Sequence, residues 1–222
     1  MNVRSPRELT SPPARLRAKI RETTVNAILT AAEEVFADAG LHAAHMGEIA
    51  SRSGVAVGTL YNHFADREAL LTGLIQARSS ELLVHMDAAL RTGAGRPFRE
   101  RLRLFVVAMS SFVDRHRSYM RIVLQGEIGR YQQTFPLACG KLQGLMHEKY
   151  ARAERLIKQG VRDKAIRPEL ADLAAHFLLG MVRTLIIRDV VLGIGDGMSV
   201  EVDRLTDAFL HGMGGSARGA ST

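Results

Sequence analysis

Residues 46–64 read MGEIASRSGVAVGTLYNHF, and this stretch is the part of the sequence that says most about the fold. It predicts two short helices joined by a tight turn. Gly54 follows Ala50 by four residues and can adopt the left-handed conformation that ends a helix. Val55 then anchors the turn in the core, and Leu60 points inward from the second helix. This is the spacing of a helix-turn-helix, whose second helix enters the major groove of DNA.

The sequence on both sides of this motif also has helical periodicity. Apolar residues recur at intervals of three and four within residues 25–36, 70–83, 98–112, 142–150 and 202–213. Pro97, Pro136 and Pro168 each stand at the start of a helical run, where a missing N–H is tolerated. No strong strand alternation is present, so the sequence predicts an all-α protein.

Composition limits the possible classes of protein. The 222 residues are 46% hydrophobic and 24% charged, which is typical of one or two soluble domains with a sizeable core. The single cysteine, Cys139, excludes an internal disulfide framework and a Cys-rich zinc site and suits a cytoplasmic location. The net charge of +7 favours a polyanionic partner. The N-terminus is no signal peptide, and the longest uncharged run of the most apolar stretch, residues 173–182, is too short to span a bilayer.

The residues around the motif resemble a known signature. They are Gly40, Ile49, Ala50, Gly54, Val55, Gly58, Thr59, Leu60, Tyr61, His63, Phe64, Arg67, Glu68 and Leu70. In this order they resemble the DNA-binding segment of the TetR (tetracycline-repressor) family over about residues 18–70. The resemblance implies a homodimeric, ligand-responsive transcriptional regulator with about nine helices, three N-terminal for DNA and about six C-terminal for ligand and dimer contacts.

On this basis we divide the chain into four parts. A mobile basic leader (1–17) precedes a helix-turn-helix DNA-binding domain (18–66), which is followed by a helical ligand-binding and dimerisation domain (67–213) and a disordered tail (214–222). The implied function is that of a repressor released from a palindromic operator by a small apolar or amphipathic ligand. The implied partners are double-stranded operator DNA, a small-molecule effector and a second copy of the chain, with no membrane.

Residue types suggest which side chains contact DNA. Phosphate contacts are expected from residues that allow close approach or donate hydrogen bonds, namely Gly58, Thr59, Tyr61, His63 and Arg67. Base contacts are expected from Arg52, Val57 and Asn62, with Thr59 as a further candidate. Ala44 and His45 depart from the family, which often has Ser or Thr there, so the cap of the preceding helix is absent or must come from His45.

Positive charge is concentrated before the motif. Residues 1–21 carry a net charge of +5, whereas residues 22–67 carry −4. We therefore expect phosphate contacts from basic residues of this first segment, namely Arg15, Arg17, Lys19 or Arg21, and a leader that reaches the minor groove. The alternative is a solvated tail.

The C-terminal two-thirds predicts a cavity and an interface. Met and aromatic residues on central helices suit an adaptable apolar pocket, and the alternative for each is ordinary core. The candidates are Phe105, Met109, Phe112, Tyr119, Met120, Val123, Met146, Tyr150 and Met181, with Asp114, Arg121, Gln125 and Glu127 as polar candidates. The segment 169–192 has too much apolar surface for a helix packed on one side. It predicts a four-helix dimer interface through Leu178, Val182, Leu185, Leu205 and Phe209, or else a buried central helix of a monomer.

Other functions find less support in the sequence. The histidines are scattered singly and no catalytic constellation is present, so we expect neither an enzyme, nor a metal, nor a cofactor. Two alternatives remain open. One is a DNA-binding protein without sequence preference, and the other is an all-helical small-molecule carrier or enzyme.

Overall fold

The computed structural model describes residues 13–125 and 134–213. These ranges contain nine α-helices, which confirms the predicted all-α fold. They are α1 (Ala14–Ala39), α2 (Met46–Ser53), α3 (Val57–His63), α4 (Arg67–Thr92), α5 (Phe98–Arg115), α6 (Arg117–Gln125), α7 (Pro136–Arg162), α8 (Ala171–Ile186) and α9 (Val202–Met213). Short 3₁₀ turns occupy Pro168–Leu170 and Met198–Glu201, and a π-helical turn occupies Ile187–Val191. The predicted leader up to residue 12 and the predicted tail 214–222 lie outside the described residues.

The first three helices form the N-terminal layer. The second half of α1 supplies buried side chains such as Ile28 and Phe36, whereas none of residues 14–27 is buried. The helix α1 begins at Ala14, so Arg15 and Arg17, which the sequence assigned to the leader, lie in its first turns. The N-terminal half of α1 is therefore an exposed helical arm.

The long helix α4 joins this layer to the rest of the chain. The side chain of Asp66 caps it by accepting a hydrogen bond from the N–H of Ala69 at 2.7 Å. The ring of Phe64, at the end of α3, packs on Gly73 of α4. A Cβ at Gly73 would lie 2.7 Å from Cε1 of Phe64, so only glycine allows this approach. The helix α4 also packs on α1, α5 and α7 and is the element through which both halves of the chain share one core.

The helix α8 has one buried and one exposed apolar side. Leu178 and Val182 face the core of their own chain, whereas Leu173 and Phe177 are each 47% exposed. The helical run Pro168–Val191 is long and apolar enough to cross a membrane by length and composition alone, a test that core helices also pass.

The predicted dimer contacts need correction. Leu178, Val182 and Phe209 are at most 1% exposed within their own chain, so they cannot be interface residues. Leu205 is 4% exposed and Leu185 partly buried, and both line a surface groove beside Phe177. The side of α8 that stays exposed is determined by where α7 and α9 pack.

Candidate DNA-binding face and ligand cavity

The turn between α2 and α3 has the predicted geometry. Gly54 adopts the left-handed conformation with φ of 71°, and the N–H of Val55 donates to the carbonyl of Ala50 at 3.1 Å. Ala50 and Leu60 are buried, which holds the two helices together. The side chain of His45 makes no capping hydrogen bond at the start of α2.

One side of α3 is exposed and carries four of the six DNA contacts predicted within this helix. Val57 and Tyr61 are 46% and 48% exposed, and Gly58 and Asn62 are exposed beside them. Positions one turn apart lie on the same side of a helix, so these four residues form one surface, the outer face of α3. The predicted contacts Thr59 and His63 are partly buried at its flank.

The glycine in the outer face has no role in the packing of the chain. A Cβ added at Gly58 would meet no atom within 4 Å, and Gly58 has no positive φ. A glycine within a helix costs about 0.5–1 kcal/mol relative to alanine. The absence of a side chain at this position therefore serves no neighbour inside the described chain, and it leaves the helix backbone bare on the exposed face.

Arg52 has a structural role that the sequence did not predict. Its Nη2 lies 2.8 Å from a carboxylate oxygen of Glu48, and its Nη1 lies 3.5 Å from Asp38 and 4.0 Å from Glu34. The guanidinium thus joins α2 to α1 among three carboxylates. This arrangement opposes the prediction that Arg52 reads a base.

Arg67 is also occupied within the chain. Its Nη1 donates to the carbonyls of Leu41 at 3.0 Å, of His42 and of Ala44 at 3.4 Å. These bonds satisfy the carbonyls of the loop between α1 and α2. The side chain therefore fixes the position of α2, which competes with the phosphate contact predicted for it.

The other predicted phosphate contacts are surface cations. Exposed side chains on the first turns of α1 are those of Arg15, Arg17, Lys19 and Arg21. Residues 15 and 19 share one side of the helix, and residues 17 and 21 share another, because residues four apart are neighbours on a helix. No ion pair within the described residues involves any of the four.

A cavity of about 350 Å³ lies among α4, α5, α6, α7 and α8. Seven of the predicted ligand-binding residues line it, namely Met109, Phe112, Tyr119, Met120, Val123, Met146 and Tyr150. Phe105 does not line it and belongs to the buried core, and Met181 lies in the groove on the other side of α8. Glu127 lies outside the described residues.

The charged residues of the cavity were missed by sequence reasoning. Arg78, Lys149 and Arg183 line it together with apolar side chains. Asp114, a predicted polar candidate, instead accepts hydrogen bonds from the N–H groups of Met198 and Ser199 at 2.8 and 3.0 Å. The periodicity of α7 and α8 held a signal for two of these cations. Lys149 follows Met146 by three residues, and Arg183 follows Leu179 by four, as expected for residues on one side of a helix.

A buried ion-pair cluster connects this cavity with α1. Glu33 of α1 lies 2.8 Å from Nε of Arg78 and accepts a hydrogen bond from the N–H of Tyr119 at 3.2 Å. His116 lies 3.6 Å from Glu33 and 3.1 Å from Glu81. Burial alone would raise the pKa of the Glu33 carboxyl, but hydrogen bonds from His116 and Arg78 outweigh it and hold the pKa below its ordinary value. Arg78 and Tyr119 therefore touch both the cavity wall and the N-terminal layer.

Comparison with known proteins finds a family match in the DNA-binding segment. The model of the family described as "Bacterial regulatory proteins, tetR family" matches residues 28–74, which include α2 and α3. The chain is 37% identical over 100 residues to the transcriptional activator FasR of Mycolicibacterium smegmatis and 28% identical over 170 residues to the transcriptional repressor BepR of Brucella suis. Residues 28–74 therefore carry the DNA-binding segment of the TetR family.

The extent of these matches differs. The FasR match spans 45% of this chain and 45% of that protein, and the BepR match spans 76% and 80%. FadR of Bacillus subtilis, solved in complex with stearoyl-CoA, has a TM-score of 0.71 with 21% identity and covers 85% of this chain and 98% of its own. FadR of Bacillus halodurans gives the same TM-score with 23% identity. These neighbours show that the chain shares their fold through the C-terminal helices.

No group of three or more His, Cys, Asp or Glu side chains in the described part of the chain could hold a metal ion. The sulfur of Cys139 is buried.

Proposed function

We propose that the chain is a homodimeric transcriptional regulator. In this proposal the outer face of α3 binds operator DNA. Binding of a small apolar or amphipathic ligand in the cavity releases the protein from the operator. The observation that carries the DNA-binding half is Gly58, an exposed glycine that no packing contact requires, flanked by Tyr61 and Asn62. A bare backbone there allows the recognition helix to approach phosphate closely, while Tyr61 donates to phosphate and Asn62 reads a base.

The shared ion-pair cluster supports a response to ligand. Arg78 lines the cavity and holds Glu33 of α1, so a ligand that displaces Arg78 also acts on the N-terminal layer. The ligand shifts the equilibrium only by its difference in affinity for the two shapes. Coupling of about 1–3 kcal/mol weakens operator binding roughly 5–150-fold.

The exposed side of α8 supports a dimer. Leu173 and Phe177 form an apolar surface that continues into the groove beside Leu205. A two-fold axis through this surface pairs α8 and α9 with their symmetry mates. The two recognition helices then lie about 34–36 Å apart or more and recognise a palindromic site. The named relatives include an activator and a repressor, and we propose repression because the match to the repressor spans more of both chains.

The test begins with selection of a binding site from a random duplex library, followed by gel-shift titration of three proteins. Gly58→Ala adds a methyl group to the outer face of α3. Gly144→Ala adds the same group on α7, where a Cβ also meets nothing within 4 Å. Both substitutions favour helix by about 0.5–1 kcal/mol, so neither unfolds the protein.

We expect Gly58→Ala to weaken operator binding at least tenfold, about 1.4 kcal/mol, and Gly144→Ala to leave it unchanged. Equal affinity for all three proteins would refute the placement of α3 against DNA. A salt titration with random duplex as competitor identifies a binder without sequence preference, because its affinity falls steeply with salt on every duplex.

A further inference from the structure

Among the described residues, the lining of the cavity includes the cations Arg78, Lys149 and Arg183 and no acidic side chain. Arg78 is balanced within the chain, since it lies 2.8 Å from Glu33 and its Nη1 lies 3.8 Å from Glu81. Lys149 and Arg183 form no ion pair with any residue in the ranges 13–125 and 134–213. Two cations of the same cavity thus lack a counter-charge, while the remaining walls are almost entirely apolar.

This arrangement disfavours the charged form of Lys149. Burial lowers the pKa of Lys149 to about 8, and the neighbouring charge of Arg183 lowers it further in the same direction. Buried charges in proteins are ordinarily paired or hydrogen-bonded, because an unpaired one loses its hydration. An anion placed between these two side chains would restore the balance with charge-assisted hydrogen bonds.

We propose that the cavity binds an amphiphile with an anionic head group, which lies between Lys149 and Arg183 while its apolar tail contacts Met109, Phe112 and Val123. This inference rests on the proposed function, in which the same cavity holds the effector. The side chain of Arg183 is exposed and that of Lys149 partly buried, so the head group lies at the mouth and the tail lies inside.

The cavity volume sets the size of a suitable probe. At about 30 Å³ for each non-hydrogen atom, the share of a water molecule in the liquid, 350 Å³ holds roughly a dozen such atoms. Dodecanoate has a tail of about this size. Dodecyl phosphate has the same tail with a phosphate head. Comparison of these two probes shows whether the anionic head group is a carboxylate or a phosphate ester.

Isothermal titration calorimetry on the full chain tests the proposal with four probes below their micellar concentrations. They are dodecanoate, dodecyl phosphate, neutral dodecanol and cationic dodecyltrimethylammonium. We expect at least one of the anions to bind about tenfold or more tighter than the neutral and cationic probes, as expected for hydrogen bonds to charged groups. Lys149→Gln and Arg183→Gln should each remove that advantage. Lys158→Gln, on the same helix α7 but 73% exposed, should keep it.

Three results would overturn the inference. They are tighter or equal binding of dodecanol or the ammonium probe, absence of binding by both anions, or retention of the anion advantage in both Gln variants with folding verified by circular dichroism. The operator gel shift then judges the proposed function by itself. If an anion binds through Lys149 and Arg183 but leaves operator affinity unchanged, the head-group assignment stands and ligand-controlled release is wrong.

Discussion

Replacing Lys149 by methionine should stabilise the protein while abolishing the preference for anions. The pKa of Lys149 falls from an ordinary 10.5 to about 8, mainly through burial. At about 1.4 kcal/mol for each pKa unit, this difference corresponds to about 3 kcal/mol of destabilisation by the charged ammonium at neutral pH. Lys149 is only partly buried, so we expect Lys149→Met to raise the free energy of unfolding by about 1–3 kcal/mol at pH 7.

The pH dependence of the free energy of unfolding shows the direction in which Lys149 acts. Between about pH 8 and 10.5 the unfolded chain keeps the proton that the folded chain has lost, so the stability of the wild type rises with pH in this window. The methionine variant lacks this rise, and its advantage should shrink as pH increases from 8 to 10. The charged and titratable groups that share the cavity with Lys149 are Arg78, Arg183, Tyr119 and Tyr150, and they are common to both proteins.

Urea unfolding at fixed protein concentration measures the difference, because the stability of the proposed dimer would depend on concentration. Lys158→Met, at a position 73% exposed, is the control and should change stability by less than about 0.5 kcal/mol. A Lys149→Met protein that is less stable than wild type at pH 7, or whose advantage does not change with pH, would refute the reasoning.

Three further predictions concern the remaining surfaces. Glu33→Gln should destabilise the protein by about 3–5 kcal/mol in urea unfolding, since it leaves the largely buried Arg78 guanidinium with only the more distant carboxylate of Glu81. In the wild type the stability supplied by Glu33 is present above its unfolded pKa of about 4.5 and is lost as pH falls through the lower folded value, so a variant with unchanged acid stability would contradict this. Phe177→Asp should give monomers in sedimentation velocity, whereas Val84→Asp, also at an exposed apolar site, should remain dimeric. Tyr61→Phe should weaken binding to all duplexes, while Asn62→Ala should relax preference at one base pair by about 1–3 kcal/mol in competition gel shifts.

The helix-turn-helix could be predicted from the sequence because its signals are short-range. Gly54 ends α2 with a left-handed conformation that depends on its own lack of a side chain, and Leu60 is buried one turn from exposed neighbours. The roles of Arg52 and Arg67 were not readable in the same way. Arg67 donates to carbonyls 23 to 26 residues earlier in the chain, and no local pattern specifies which of its possible partners it reaches.

For the cavity of the C-terminal helices, the sequence predicted the apolar lining residues but not the charged ones. Six Met and aromatic side chains at helical spacing, together with Val123, indicated seven of the residues that line the cavity. The same spacing assigned Leu178 and Val182 to the dimer surface, because an almost wholly apolar helix such as α8 has no polar side to orient it. The cations were passed over because a lysine or an arginine on a helix is ordinarily solvated, and only the packing of α7 against α8 brings Lys149 and Arg183 to one cavity.

The sequence by itself therefore determined the helices, the turn between α2 and α3 and the residues on the outer face of α3, since each depends on contacts within a few residues. The tertiary structure alone decided three features. These are the pairing of Glu33 with Arg78 across 45 residues, the side of α8 left uncovered, and the cations without a counter-charge in the cavity. The physical reason is that burial and charge balance are properties of a neighbourhood, and residues distant in the chain form that neighbourhood only when the helices pack.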